Sequence, residues 1–347
     1  MRLKRRGSAH STRPYGTYSE SDLNEQHSDE TIRCPVCGHG TTTVVEQLTG
    51  SQLRRLWRES GFQLTPEAWG RIQEQSLVAL KRCAACGFAF FDPSLAGNEV
   101  FYKELERSGY FAPNRPEFFR TVEFAKRNGL HRVLDIGCGS GAFLDLARQA
   151  GCETFGLELN SAAAAKARAK AHRIFSVSLE QLIDAGSTGG FDLITLFQVL
   201  EHLANPVAVL KKATSMLKNG GYVAIAVPSE EGVLRLSPWD PSQWPPHHVS
   251  RWRRADLKQL GRATGLKIVE LGADILLGSA ISSHWQTHNR FAAALGKPGR
   301  PGGDMLGKMI SLLYRKTGMK FFFPHRGNSI YGYFQKTLSE AAPSEPA

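Results

Sequence analysis

The sequence predicts an α/β fold in which helices cover both faces of a largely parallel sheet, preceded by a small cysteine-containing module. Three observations support this prediction. After His131, short apolar runs alternate with helical segments, as in βαβ units. The first run ends in a glycine-rich turn, Gly137-Cys138-Gly139-Ser140-Gly141. Upstream, four of the six cysteines form two Cys-x-x-Cys pairs.

Length and composition are those of an ordinary globular protein. The chain has 347 residues, of which 41% are hydrophobic and 22% charged, and this length predicts one large domain with an appendage, or two domains. No apolar stretch approaches the roughly 18 residues that a membrane-spanning helix needs. No apolar segment follows the basic residues at the N-terminus, so a secretory signal is not predicted. We therefore expect a cytoplasmic protein.

The net charge of +11 is unevenly distributed. From Arg251 to the end of the chain, 15 lysines and arginines face 6 acidic residues. Such a surplus suits an acidic substrate, an anionic membrane surface or RNA, but an ordinary basic surface would give the same count. Peripheral membrane contact and nucleic-acid binding thus stay open, and the sequence does not predict an oligomeric state.

Changes in composition and hydrophobic pattern divide the chain into five parts. We expect a disordered arm at 1–30, a zinc-ribbon-like cysteine module with a helical insertion at 31–95, a helical bridge at 96–130, the α/β domain at 131–338 and a disordered tail at 339–347. In the insertion, Thr65-Pro66-Glu67 begins a predicted helix that continues through Leu77 and Leu80.

In the α/β part, apolar runs together with glycine and proline signals predict the individual strands and helices. Strands are expected at 132–136, 154–158, 191–197, 222–227, 267–271 and 329–335. Helices are expected at 142–150, 161–171, 206–218 and 254–264, with two more between 279 and 317. The segment 279–323 mixes aromatic and basic residues, and it suits a packed helical cap, a lid over a pocket, a dimer surface or a membrane-facing patch.

The two cysteine pairs predict a structural zinc site. Cys34, Cys37, Cys83 and Cys86 supply four thiolates, the set that tetrahedral zinc prefers, and no ligand position is left open for catalysis. Gly38 and Gly87 follow the pairs and allow the backbone to turn around the sulfurs. Cys138 and Cys152 are expected to be small buried residues.

Two acidic residues indicate which ligand the glycine-rich turn holds. Asp135 precedes the first glycine by two positions, and a carboxylate there would repel a pyrophosphate but suit a ligand with an ammonium and a sulfonium group. Glu158, about 20 residues on, ends the next strand, where an acid can accept hydrogen bonds from ribose hydroxyls. Together they favour S-adenosylmethionine over NADP and, less decisively, over NAD.

These residues resemble those of the class I S-adenosylmethionine-dependent methyltransferases, whose fold is Rossmann-like. The resemblance covers about 130 to 336 and includes the first motif at 135–141, the second at 156–158, the fourth-strand region at 191–206 and the turn at 217–221. It implies a cofactor site made of Asp135, Gly137, Cys138, Gly139, Gly141, Glu158, Leu159, Ser178, Leu179 and Gln198. Within it, Gln198 would lie near the methionine moiety and Ser178-Leu179 near the adenine.

Two further resemblances concern smaller features. Some small-molecule methyltransferases, including sugar C-methyltransferases, carry a similar N-terminal zinc module, often followed by a segment like Phe91-Asp92-Pro93. Glu201-His202 resembles a pair found in quinone O-methyltransferases. Some of those have an acid three residues earlier, where this chain has Gln198, and a neutral amide is a poorer metal ligand. The sequence therefore does not predict a catalytic metal there.

The loop from Trp239 to Trp252 is the candidate acceptor site. Its prolines and tryptophans would form a stiff apolar wall, and His247 or His248 would serve as general base, with His202 as the alternative. The loop can also be read as packing only. The predicted protein is a methyltransferase that acts on oxygen or carbon of a small metabolite. An RNA or protein acceptor, a non-catalytic cofactor-binding scaffold and an NAD-dependent oxidoreductase are the alternatives.

Overall fold

The computed structural model describes residues 32–106, 115–186, 189–274, 278–299 and 327–337, together with Met305, Met309 and Leu312. The arm expected at 1–30 and the tail expected at 339–347 lie outside the described residues. So does most of the segment 279–323 beyond Gly299, including the second helix predicted there.

The described strands form two sheets. In chain order they are β1 (Thr42–Thr49), β2 (Leu77–Cys83), β3 (Ala89–Phe90), β4 (Arg132–Ile136), β5 (Glu153–Leu157), β6 (Arg173–Phe175), β7 (Phe191–Phe197), β8 (Leu217–Pro228), β9 (Ser250–Arg251), β10 (Leu266–Ala273) and β11 (Ser329–Lys336).

The α-helices of the described residues join these strands. They are α1 (Gly50–Glu59), α2 (Pro66–Trp69), α3 (Glu99–Glu106), α4 (Pro116–Arg127), α5 (Ala142–Gln149), α6 (Ser161–Ala169), α7 (Leu179–Asp184), α8 (Pro206–Ser215), α9 (Arg254–Thr264) and α10 (Gly278–Ala294).

The larger sheet has the order β10-β11-β8-β7-β4-β5-β6. Strands β6, β5, β4, β7 and β8 are parallel neighbours, and β11 lies antiparallel between β8 and β10. From β4 the chain continues to β5 and β6 on one side, and then to β7 and β8 on the other. The order therefore reverses between β4 and β7, and in open parallel sheets ligands bind at the carboxyl ends of the strands at such a point.

Helices pack on both faces of this sheet, which confirms the predicted Rossmann-like α/β class. One apolar cluster contains Leu134 and Ile136 of β4 with residues of α7, α8 and α9. The other contains Val133 with residues of α4 and α5. Successive β4 side chains thus enter opposite cores, as the period of two in a strand requires.

Most element boundaries of the α/β part agree with the prediction to within a few residues. The exceptions are short or polar. β6 and α7 were not predicted, and the helix expected at 206–218 ends at Ser215 because β8 already begins at Leu217.

The helix predicted from Thr65 through Leu80 is wrong beyond its first turn. Thr65 caps α2, but Gly70, with φ of +51°, ends it. Leu77 and Leu80 lie instead on β2, which pairs antiparallel with β1. Their spacing fits either a helix or a strand, and pairing with β1 decides between the two.

The smaller sheet contains a strand from the distant loop. Its order is β1-β2-β3-β9, and β9 belongs to the loop that the sequence predicts as the acceptor site. Trp252, directly after β9, is completely buried against Phe88 of the cysteine module, with ring centroids 4.8 Å apart. The cysteine module and this loop therefore share one sheet and one core.

Candidate cofactor and acceptor site

The glycine-rich turn connects β4 to α5 at the point where the strand order reverses. Gly137, Gly139 and Gly141 all have positive φ, of +76°, +53° and +79°, a conformation that residues with a side chain resist. At Gly137 space is also limiting, because a Cβ there would lie 2.7 Å from Cγ2 of Val199. The turn therefore presents bare backbone that a ligand can approach closely.

Asp135 lies under this turn with only 3% of its surface exposed. The hydroxyl of Thr195 donates a hydrogen bond to its Oδ1 at 2.6 Å. Burial, reinforced by the nearby charge of Glu158, raises the pKa of Asp135 to about 7. A cation bound beside this carboxyl group would favour its ionised form.

Glu158 is fixed between the turn and the start of α6. Its Oε2 accepts from the backbone N–H of Gly139 at 2.8 Å, and its Oε1 accepts from that of Asn160 at 2.7 Å. An ionised carboxylate only accepts hydrogen bonds, so hydroxyl groups suit it as donors. Leu159, beside it, is half-buried.

Cys138 and Cys152 are buried, in agreement with the sequence expectation. The Cys138 sulfur fills the space above Gly156 of β5, where a Cβ would approach it to 2.5 Å. Burial raises the pKa of the Cys138 thiol well above its usual range, so this thiol is protonated at neutral pH. Its side chain packs against β5, and contact of its backbone with the cofactor stays a prediction.

Ser178 and Leu179 both serve the short helix α7. The Ser178 hydroxyl accepts from the backbone N–H of Gln181, and the Gln181 side chain accepts from the backbone N–H of Ser178, a capping box. The Leu179 side chain is 6% exposed and belongs to the sheet core. Contact of these two residues with adenine stays a prediction.

Gln198 follows β7 in a left-handed conformation, with φ of +57°. Its backbone N–H bonds the carbonyl of Ala226 at 2.7 Å, and its Nε2 donates to Glu117 Oε1 at 3.1 Å and to Ser329 Oγ at 3.2 Å. A non-glycine residue in this region stores about 1–3 kcal/mol of strain and persists only where its surroundings hold it. The amide is thus rigidly positioned beside the carboxyl end of β4.

Sequence reasoning missed the charged groups around Gln198. Glu117 is 2% exposed and lies 3.9 Å from Arg115, while Arg120 lies 3.9 Å from Asp274. Burial, with the charge of Glu117, raises the pKa of Asp274 to about 6. These residues come from α4 and from the end of β10, and no local motif links them to the glycine turn.

The three histidines named as candidate bases converge into one cluster. The ring centroid of His247 lies 4.7 Å from that of His202 and 4.4 Å from that of His248. Nδ1 of His202 bonds the carbonyl of His247 at 2.6 Å, and Nδ1 of His247 bonds the carbonyl of Ser242 at 2.9 Å. Because a carbonyl accepts, each Nδ1 carries the proton and each Nε2 keeps its lone pair.

Burial controls the charge of this cluster. It lowers the pKa of His202 to about 4 and the pKa values of His247 and His248 well below the usual range, so all three rings are neutral near pH 7. It raises the pKa of the adjacent Glu201 carboxyl to about 8. The His202 side chain is 15% exposed, whereas His247 and His248 are 2% and 4% exposed.

The four cysteines of the two pairs come together as predicted. The sulfurs of Cys34 and Cys86 are 3.7 Å apart, those of Cys37 and Cys83 are 3.6 Å apart, and all four lie within 4.8 Å of one another. Four sulfurs placed tetrahedrally at about 2.3 Å from a zinc ion would be separated by about 3.8 Å. The donor set and its spacing therefore fit zinc.

Comparison with known proteins identifies one part of this architecture. A family model described as "Methyltransferase domain" matches residues 104–271, slightly less than half of the chain. Within the matched residues lie the glycine turn, Glu158, Gln198 and the three histidines.

The similar proteins match this region only in part. A ubiquinone biosynthesis O-methyltransferase from Alkalilimnicola ehrlichii is 28% identical over 149 residues, which is 36% of this chain and 60% of that protein. One from Albidiferax ferrireducens is 29% identical over 125 residues, 31% of this chain and 50% of that protein. The chain thus spans 50–60% of the length of these relatives.

Among solved structures, an S-adenosylmethionine-dependent methyltransferase from Archaeoglobus fulgidus superposes with a TM-score of 0.44 at 18% identity. The superposition covers 68% of this chain and all of that one. None of the helices in the described part of the chain is long and apolar enough to cross a membrane.

Proposed function

We propose that the protein transfers a methyl group from S-adenosylmethionine to an oxygen or carbon atom of a small molecule. Three features that lie together where the strand order reverses support this proposal. They are the glycine turn, the buried Asp135 below it and Glu158, which is fixed beside it. A cationic nucleoside needs all three, whereas a diphosphate would gain nothing from Asp135.

Each feature has a distinct task in holding the donor. Glu158 would accept hydrogen bonds from the ribose hydroxyls, since both its oxygens are already oriented by backbone N–H groups. Asp135 would provide the negative potential for the cationic end. When bound, the cofactor supplies an electrophilic methyl group on a positively charged sulfur. The remaining task of the protein is to align the acceptor and to remove its proton.

The histidine cluster is our candidate for activation of the acceptor. It follows the carboxyl end of β7 and continues from Gln198 through Glu201, so it lies on the side of the sheet where the donor would bind. Among the three rings, His202 combines an anchored Nδ1, an Nε2 lone pair and the largest exposure. We therefore place His202 before His247 and His248 as the proton acceptor, which reverses the order suggested by the sequence.

The small-molecule acceptor is favoured by the names of the relatives, which are O-methyltransferases of ubiquinone biosynthesis. We propose the same general class of acceptor here. The four-cysteine site would hold a structural zinc ion, since all its ligand positions are thiolates and none is left for a substrate.

Two measurements test the proposal. Calorimetry should detect S-adenosylmethionine binding to the zinc-loaded protein, and Glu158→Ala should weaken it at least tenfold. Glu153→Ala, which removes an exposed acid at the other end of the same strand, should not. Incubation with methyl-labelled cofactor and a metabolite extract should yield a labelled small product by mass spectrometry. Absence of cofactor binding, or label found only in RNA or protein, would refute the proposal.

A further inference from the structure

We propose that His202, His247 and His248 form a second metal site, which binds a divalent first-row transition metal beside the buried carboxyl group of Glu201. This site is separate from the four-cysteine site, and the sequence did not predict it. It rests on the positions of ligand atoms, on a buried carboxylate and on the shell around them.

The ligand atoms of the three histidines already converge. One nitrogen from each ring lies within 4.8 Å of the other two. In His202 and His247, Nδ1 donates a hydrogen bond to a backbone carbonyl. Metal-binding histidines almost always donate their second N–H in this way, because that bond fixes both the tautomer and the ring orientation.

The adjacent carboxylate gives independent support. Glu201 is 1% exposed, and neither of its oxygens has a hydrogen-bond partner among the described residues. Its Oε1 lies 3.8 Å from Nε2 of His202. A buried acid without a hydrogen-bond donor is costly, and a cation held by the neighbouring imidazole would compensate for that cost.

Aromatic side chains surround the cluster. Trp57 and Phe101 pack against the His247 ring, with centroids 6.3 and 6.1 Å away, and Tyr102 packs edge-on to His202 at 5.8 Å. Three neutral imidazoles favour zinc, iron, cobalt or nickel over magnesium and calcium, which prefer oxygen ligands.

The sequence expectation of no metal rested on Gln198 standing where an acid would be needed. In the structure Gln198 bonds Glu117 and Ser329 instead, and the missing ligands come from a loop about 45 residues further along the chain. This inference rests on the proposed function in one respect: a bound ion would occupy the nitrogen lone pairs, so the ion would take over from His202 the activation of the acceptor, and His202 would accept the proton only in protein without that ion.

Metal content tests the site without reference to activity. The full-length protein is stripped with a chelator, reloaded with Co²⁺, passed over a desalting column and analysed by elemental mass spectrometry and absorption spectroscopy. We expect two ions per chain. The thiolate-to-cobalt charge-transfer band reports the four-cysteine site, and a second set of visible bands without charge transfer reports the histidine site.

Variants locate the second ion. His202→Ala should bind one ion while keeping the thiolate band, and Glu201→Gln, which preserves shape, should weaken the second ion by about 10–100-fold. His131→Ala, which removes an exposed histidine outside the cluster, should still bind two. The retained thiolate band and an unchanged circular dichroism spectrum show that each variant is folded.

Two results would overturn the inference: a wild-type protein that binds only the thiolate-ligated ion, or a folded His202→Ala variant that still binds two. Methyl transfer is measured separately on protein with only the four-cysteine site loaded. Full activity in that state would leave the proposed function intact and would refute the dependence on the second metal.

Discussion

Asp135→Asn should make the protein more stable and a poorer binder of its cofactor. The carboxyl group is buried in the fold, and its pKa is about 7 instead of 3.8. Because the folded-state pKa is raised, stability is greatest below pH 3.8 and is lost as the pH rises to about 7. Above that pH the burial of an ionised group costs about 4 kcal/mol, an order-of-magnitude value.

Asparagine removes this cost while keeping an oxygen that accepts from Thr195. In urea-induced unfolding of the zinc-loaded, cofactor-free protein, the variant should exceed the wild type by up to about 4 kcal/mol at pH 8 and by about 2 kcal/mol at pH 5. Calorimetry at pH 8 should show the opposite order for S-adenosylmethionine affinity, because the variant cannot become negatively charged.

Asp192→Asn is the matched control with the opposite sign. Asp192 accepts hydrogen bonds from the backbone N–H groups of His131 and Arg132 and from Lys218. These donors outweigh the effect of partial burial and lower its pKa. Its contribution is present above pH 3.8 and lost at lower pH, so this variant should be less stable than the wild type at pH 8. If Asp135→Asn were no more stable at pH 8, or if its advantage did not shrink at pH 5, the electrostatic reasoning would be wrong.

Three further predictions concern the glycine turn, Glu158 as the proposed ribose-binding residue, and the four-cysteine site. Gly137→Ala should abolish cofactor binding by calorimetry, because its Cβ would meet Val199 and its φ is +76°, and the second substitution Val199→Ala should restore it only in part. Glu158→Gln should weaken the cofactor roughly tenfold, with little change in melting temperature if Gly139 keeps its bond; a drop of many degrees would point to a structural role. Chelation of zinc should lower the melting temperature sharply in a scan, reversibly on readdition, whereas an unchanged melting temperature would contradict a structural metal.

The residues of the proposed cofactor site are largely predictable from the sequence because they lie close together in the chain. Asp135 and the glycines form one run of seven residues, and Glu158 ends the next strand, so strand-and-turn logic alone brings them together. The parallel sheet and most of its strands follow from the same alternation of apolar runs and glycine or proline signals.

The proposed acceptor site depends on contacts between distant parts of the chain, which the sequence does not reveal. Gln198 is positioned by Glu117 and Ser329, which lie 81 and 131 residues away in the sequence. The sequence offered His202, His247 and His248 as alternatives to one another, and only the folding of the loop back onto the end of β7 turns them into a single cluster. Leu77 and Leu80 were misassigned because their spacing fits two periods and a strand partner, β1, had not been recognised.

The pairing of β3 with β9 makes the cysteine module and the loop at 239–252 depend on each other structurally. A fragment beginning near residue 96 would retain the strands of the larger sheet. It would nevertheless leave Ser250–Arg251 without its β3 partner and uncover Trp244 and Trp252, both fully buried in the intact protein. The N-terminal module therefore supplies part of the core around this loop, and a protein shortened to residues 96 onward would expose that apolar surface to solvent.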